Sequence, residues 1–182
     1  MTDHPDLTLR VAEMADASSL AALSVEVWVA TYLREGVGAA FADYVLQEHT
    51  PARMRAVIAA PTSHIIVSQN RMGIDGYIRV DMGAPAPVPG GPDVEIRTLY
   101  VQPRHHGRGL GRSLLSAALA HCAKQGVPAV WLASNAENLP AKRFYLSQGF
   151  DRAGETAFVL EGQSYLNDVF VRDCGLAKPP AD

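Results

Sequence analysis

Cysteine is scarce in this chain. There are two in 182 residues, Cys122 and Cys174, and they stand in no metal-binding or redox spacing. Neither a disulfide framework nor a zinc site is therefore expected, and no metal is assigned. Long apolar runs are missing as well. No stretch approaches the roughly 18 residues of a membrane span, and the start, MTDHPDLTLR, lacks the basic and apolar segments of a signal peptide. The expectation is a cytoplasmic protein with no membrane partner. Excess positive charge is absent too. A formal net charge of −3 argues against nucleic acid as the main partner and leaves room for a basic substrate. No internal repeat is visible. The balance of 48% hydrophobic and 19% charged residues suits a globular chain, and the length suits one domain over 1–182.

The most informative stretch is VEIRTLYVQPRHHGRGLGRSLLSAALAHC, residues 94–122. It opens as a strand, with β-branched and apolar residues up to Val101, and Pro103 closes it. Gly107, Gly109 and Gly111 follow at every second position. Leu110, Leu114, Leu115, Ala118 and Leu119 then fall on one helical face. A strand, a glycine-rich turn and a helix N-terminus make an anion site, because bare main-chain N–H groups and the helix dipole both favour negative charge. Arg104, Arg108 and Arg112 add full positive charges. The dinucleotide fingerprint GxGxxG fails, because Arg112 stands where its third glycine belongs. The nucleotide P-loop fails at His106 and again at Arg112. A glycine turn that binds nothing stays open as the plain alternative.

The remaining elements alternate. Leu7 to Val11 reads as a strand, and Asp16 as the N-cap of a helix turning Leu20, Leu23, Val27 and Trp28 inward. A short helix is expected over Phe41 to Leu46. Thr50 and Pro51 read as N-cap and first residue of another, through Ala59. His64 to Ser68 and Ile74 to Val80 form a hairpin. Residues 82–93, MGAPAPVPGGPD, read as a flexible surface loop or as a flap over an acceptor site. Ala129 to Ala133 is a strand, Asn138 caps a helix ended by Gly149, and Ala157 to Leu160 pairs with Tyr165 to Val171 around Glu161 and Gly162. Residues 173–182 read as a flexible tail. This order implies an α/β fold with a mixed sheet flanked by helices.

The glycine stretch resembles the pattern Gln/Arg-x-x-Gly-x-Gly/Ala in the cofactor loop of the GNAT superfamily of acyl-CoA N-acyltransferases. Arg104-x-x-Gly107-x-Gly109 satisfies it literally. The preferred frame is His106-Gly107-Arg108-Gly109-Leu110-Gly111, which departs from the pattern at His106. A second motif, NLPAKRFYLSQGF from Asn138 to Phe150, matches the family's NxxAxxFYxxxGF at every defined position. The resemblance implies a GNAT-like mixed sheet whose splayed central strands hold acetyl-CoA as cosubstrate. His106, Gly107, Arg108, Gly109, Leu110, Gly111 and Arg112 would take its phosphates. The main chain of Leu99, Tyr100 and Val101 would pair with the pantetheine arm as an added strand would. Asn138 inherits a cofactor contact or a plain capping role.

Acyl transfer to an amine expels a thiolate. A thiol has a pKa of about 8.5 and a phenol about 10, so a tyrosine can donate to the developing sulfur anion. The resemblance gives that general-acid role to Tyr145, while Phe144 and Phe150 read as core. The attacking amine must be neutral, which costs roughly 4–5 kcal/mol for an alkylammonium of pKa about 10.4 at pH 7. Glu95 is the candidate base, acting directly or through water, with a solvent-facing strand glutamate as the alternative. Strand alternation puts it on the same face as Arg97 unless a bulge, which family members have here, intervenes. His105 and His106 read as solvated or phosphate-facing, and His64 as structural.

Trp28, Tyr32 and Asp168, with Glu35, Phe158 and Tyr165, supply aromatic and acidic groups that would suit a cationic acceptor. EIRTLYV, VWLASNAEN and TAFVLEGQSYLNDV are loosely similar to segments of PaiA-type spermidine/spermine acetyltransferases, although the tryptophan usual near Ser134 is missing. The resemblance implies transfer from acetyl-CoA to a primary amine of a small molecule, a polyamine being one acceptor. The alternatives are a protein or peptide N-acetyltransferase and a non-catalytic acyl-CoA-binding module. With no cysteine near the site in sequence, direct transfer in a ternary complex is expected. A homodimer is common in the family.

Overall fold

The computed structural model describes residues 8–33 and 35–175. Strand β1 (Thr8–Val11) comes first, with the expected Leu7 outside the described residues. A 3-10 turn, Met14–Asp16, leads into helix α1 (Ala17–Tyr32). Asp16 does not cap α1 with its side chain, which corrects the sequence expectation. Its carboxylate instead accepts from the Glu13 N–H at 2.8 Å and from the Arg10 guanidinium at 2.7 and 2.8 Å. A bidentate guanidinium outcompetes a local N–H for the same oxygens.

Helices α2 (Ala39–Glu48) and α3 (Pro51–Ala59) follow. The expected cap of α3 is present, with Thr50 Oγ1 accepting from the Arg53 N–H at 3.2 Å. Strands β2 (Ser63–Asn70) and β3 (Gly73–Met82) are joined by a tight turn. There Asn70 Oδ1 accepts from the N–H groups of Met72 and Gly73 at 2.8 and 3.2 Å. Then come β4 (Val94–Val101), a 3-10 turn at Pro103–His105, α4 (Leu110–Lys124), β5 (Ala129–Asn135) and α5 (Leu139–Ser147). The chain closes on β6 (Asp151–Leu160) and β7 (Gln163–Asp173).

The strands form one mixed seven-stranded sheet in the order β1-β2-β3-β4-β5-β7-β6. β1 runs antiparallel to β2. β4 runs parallel to β5, with Glu95 opposite Trp131, and β7 runs antiparallel to both β5 and β6. The described residues divide into two compact units, one drawn from Met1–Val80 and Thr98–Leu115, the other from Asp81–Arg97 and Ser116–Asp182. The first unit has a core of Leu20, Leu23, Val27, Met54, Ile65, Val67 and Tyr77, with α1 and α3 packed on the strands. In the second, Val130, Leu132, Phe150, Val169 and Phe170 are almost wholly buried. The apolar face expected of α4 is buried in full, and Cys122 extends it by another turn.

The stretch at 82–93 is not the loose connector that its proline and glycine content suggests. The Ala84 N–H donates to the Asp93 carbonyl at 2.7 Å and the Ala86 N–H to that of Pro92 at 2.8 Å. Trp131 Nε1 donates to the Ala84 carbonyl at 2.7 Å. A Cβ at Gly154 would lie 2.7 Å from Val88 Cγ1, so β6 has a glycine where the loop presses on it. Of the expected tail, Asp173 ends β7 and the Cys174 N–H donates to the Pro128 carbonyl at 2.8 Å, while 176–182 lie outside the described residues.

Candidate active site

The glycine loop belongs to the first unit. Gly107 and Gly109 both have left-handed backbones, with φ of 76° and 83°. L-residues with a Cβ rarely adopt that conformation. A Cβ at either position would meet nothing within 4 Å, so internal packing does not explain the glycines. They shape the turn and leave open space beside it, as a backbone cradle for a phosphate group requires. Leu110 anchors the head of α4 by burial, with Gly111 and Arg112 in its first turn.

Side chains that open each of the two sequence frames have partners within the protein. Arg104 turns away to Glu26, with its guanidinium 3.4 Å from Oε1. Glu26 also accepts from Gln102 Nε2 at 2.7 Å. His106 folds back, its Nε2 3.0 Å from the Val101 carbonyl. One lone pair of the Val101 carbonyl is already engaged, and Leu99 and Tyr100 carry the neighbouring main-chain groups. The Tyr100 ring meets Tyr77 edge-on at 5.7 Å. Burial pushes the Tyr77 phenol up to about 12, and it shares a 2.7 Å hydrogen bond with Ser24. His105, expected in solvent or facing phosphate, instead has Nδ1 3.4 Å from Asp75.

The aromatic residues proposed for acceptor binding also lie in the first unit. Trp28 is buried beneath Tyr32, Phe41 and Tyr44, at centroid distances of 4.6, 5.5 and 5.3 Å. Tyr32 is the exposed member. The part of its ring packed in this cluster is desolvated, and that, with Tyr44 nearby, raises its phenol above the ordinary value.

Glu95, Asn138, Tyr145 and Asp168 belong to the second unit. Glu95 is 7% exposed, which removes the solvent-facing alternative. Its Oε2 accepts from the Arg97 guanidinium at 2.8 Å, so the two share a face as strand alternation requires. Asn138 makes the cap, with Oδ1 accepting from the Ala141 N–H at 3.2 Å. The Tyr145 ring is set by Phe144, Phe150 and Phe170 at 5.4, 5.7 and 6.0 Å. Asp168 is 2% exposed and holds two internal cations, Lys142 Nζ at 2.7 Å and Arg152 Nε at 2.5 Å. Hydrogen bonding, first from Lys142 and then from Arg152, keeps its carboxyl below the usual range against the effect of burial. Its charge is thus spent on the fold. Lys142 stands one helical turn before Tyr145, so this pair fastens α5 to β7.

Sequence reasoning missed Asp75, Glu26, Lys142 and Arg152, because each acts through a partner far along the chain. It also missed the thiol pair. Cys122 and Cys174 share a hydrogen bond that raises the Cys122 thiol and lowers that of Cys174. Among the described residues no group of three or more His, Cys, Asp or Glu side chains could hold a metal. No helix among them is long and apolar enough to cross a membrane.

Known proteins resemble this chain in sequence and in fold. The sequence model of the acetyltransferase (GNAT) family matches residues 39–150. An uncharacterized N-acetyltransferase of Mycobacterium bovis is 31% identical over 161 residues, covering 88% of this chain and 99% of that one. A mycothiol acetyltransferase of Nocardioides sp. is 42% identical over 82 residues, 43% of this chain and 26% of its own length. Among solved structures, the PaiA N-acetyltransferase of Thermoplasma acidophilum, in complex with coenzyme A, superposes with a TM-score of 0.69. It is 16% identical and the match covers 89% of this chain and 97% of that one. A Salmonella typhimurium protein solved with its cofactor acetyl-CoA gives 0.64 at 21% identity, over 97% and 98% of the two chains.

Proposed function

This chain belongs to the acetyltransferase (GNAT) family, and from that premise we propose that it transfers acetyl from acetyl-CoA to a primary amine of a small molecule. The observation that carries the reading is the loop at the head of α4, where two left-handed glycines face open space. Main-chain N–H groups there, with Arg108 and Arg112, suit the phosphates of coenzyme A. The splayed strands implied by the family, with Leu99 and Tyr100, would admit the pantetheine arm.

Glu95 takes the proton that an ammonium acceptor must lose, directly or through water. The neutral amine attacks the thioester carbonyl, the C–N bond forms, and the C–S bond breaks. Tyr145 donates its phenolic proton to the departing thiolate. The transfer is direct, within a ternary complex. Burial keeps Cys122 from carrying the acetyl group.

Tyr32 remains the acceptor candidate, whereas Trp28 is buried beneath it and Asp168 is occupied by Lys142 and Arg152. A polyamine reading therefore loses one of its acidic candidates. The test follows thiol release from acetyl-CoA by wild type and Tyr145→Phe. A kcat reduced by about 10²-fold or more, as positioned proton transfer contributes, supports the assignment. An unchanged kcat removes Tyr145 as the acid.

A further inference from the structure

Asp75 lies on β3 in the first unit and is 5% exposed. A buried carboxylate needs donors. Oδ1 accepts from Ser68 Oγ at 2.6 Å and Oδ2 from Asn70 Nδ2 at 2.9 Å. The same residue also grips the turn before the glycine loop. Its main-chain carbonyl accepts from the Gln102 N–H at 2.9 Å, and the His105 N–H in turn donates to the Gln102 carbonyl at 2.8 Å. At the far end of that turn, His105 Nδ1 stands 3.4 Å from Asp75 Oδ2.

That nitrogen is sealed from solvent and has no hydrogen-bond partner. At 3.4 Å the two atoms are within reach but not aligned, and a charge-assisted N–H···O bond closes at about 2.7–2.9 Å. A small inward turn of the ring that aims an Nδ1–H at Oδ2 would make it. Gly107 lies only two residues beyond His105 along the chain. The turn from Gln102 to His105 is thus held at its first residue and left one bond short at its last.

We propose that His105 and Asp75 are positioning residues for the anion loop, a latch whose open bond closes when the loop takes the phosphates of acetyl-CoA. This rests on the assignment of that loop as the cofactor site. Closing the bond and binding the anion favour the same backbone position, so each strengthens the other by the same factor. Neither side chain need touch the ligand.

The test compares wild type, His105→Leu and His105→Asn, titrated with acetyl-CoA and with S-acetylpantetheine, which has no phosphate. An asparagine amide nitrogen can occupy the place of Nδ1 and restore the donor. The latch predicts that the leucine variant binds acetyl-CoA about tenfold more weakly, a typical coupling between sites. S-acetylpantetheine binding stays unchanged, and the asparagine variant recovers most of the loss. Equal affinity for acetyl-CoA in the leucine variant, or equal weakening toward both ligands, overturns the proposal. Should the variants fail to fold, nitrogen NMR of wild type decides. A protected Nδ1–H signal of His105 must appear on adding acetyl-CoA, and its absence refutes the latch. Wild type that binds S-acetylpantetheine but gains nothing from the phosphates refutes the loop assignment instead, and the latch with it.

Discussion

Asp168 carries its charge where solvent barely reaches it, between one cation from α5 and one from its neighbouring strand β6. Lys142 and Arg152 are themselves 33% and 41% exposed at the side chain, so both can return to water when the carboxylate is removed. Asp168→Asn should therefore cost about 2 kcal/mol, in the range for hydrogen bonds to charged groups. The pH dependence follows from the lowered carboxyl. An unfolded aspartate titrates at about 3.9. The stabilisation is fully present above that value and is lost as pH falls through the lower folded one. Thermal unfolding across a pH series should show a wild-type advantage that shrinks below about pH 4. A constant advantage down to acid pH would contradict the pairing. Glu95 is the other buried acid of the second unit, and Glu95→Gln should depress kcat while leaving acetyl-CoA affinity unchanged. A variant with normal turnover would leave the proton to a water chain.

At the scale of elements, the caps and turns explain where the chain changes direction. Thr50→Ala should cost about 1 kcal/mol by removing the cap of α3. Glu161 and Gly162 both have positive φ, 48° and 78°, between Leu160 and Gln163, the geometry of a two-residue hairpin turn that prefers Asn-Gly. Glu161→Asn should accordingly raise stability by about 0.5 kcal/mol, and a lower melting temperature would contradict that assignment. α3 was fully legible from the sequence, because Thr50-Pro51 and Pro61 mark its ends chemically. β4 and the buried face of α4 were legible through periodicity. The first half of β6 was not. Its Asp-Arg-Ala-Gly-Glu-Thr segment lacks apolar alternation, and it is a strand because β7 pairs with it. The packing of the loop at 82–93 was not legible for a related reason. Composition reports local stiffness, whereas Trp131 and Gly154, far along the chain, fix its position. The site followed the same rule. Motifs could name candidates such as Gly107 and Tyr145, while the side-chain partners of Asp75, Glu26, Lys142 and Arg152 are brought near only by folding.

Across the whole chain, the residues proposed for function fall in both units. The glycine loop and Tyr32 belong to the first, Glu95 and Tyr145 to the second. The enzyme class rests on family membership, and the acceptor on what those residues can recognise. The most direct measurement is steady-state release of free thiol from acetyl-CoA against a panel of polyamines, small aromatic and aliphatic amines, amino acids and peptides, with the acetylated products identified by mass. The account predicts turnover of a small primary amine that becomes N-acetylated, and no acetyl group retained on the protein. Tight acetyl-CoA binding without turnover of any amine, or transfer confined to peptides, would contradict it.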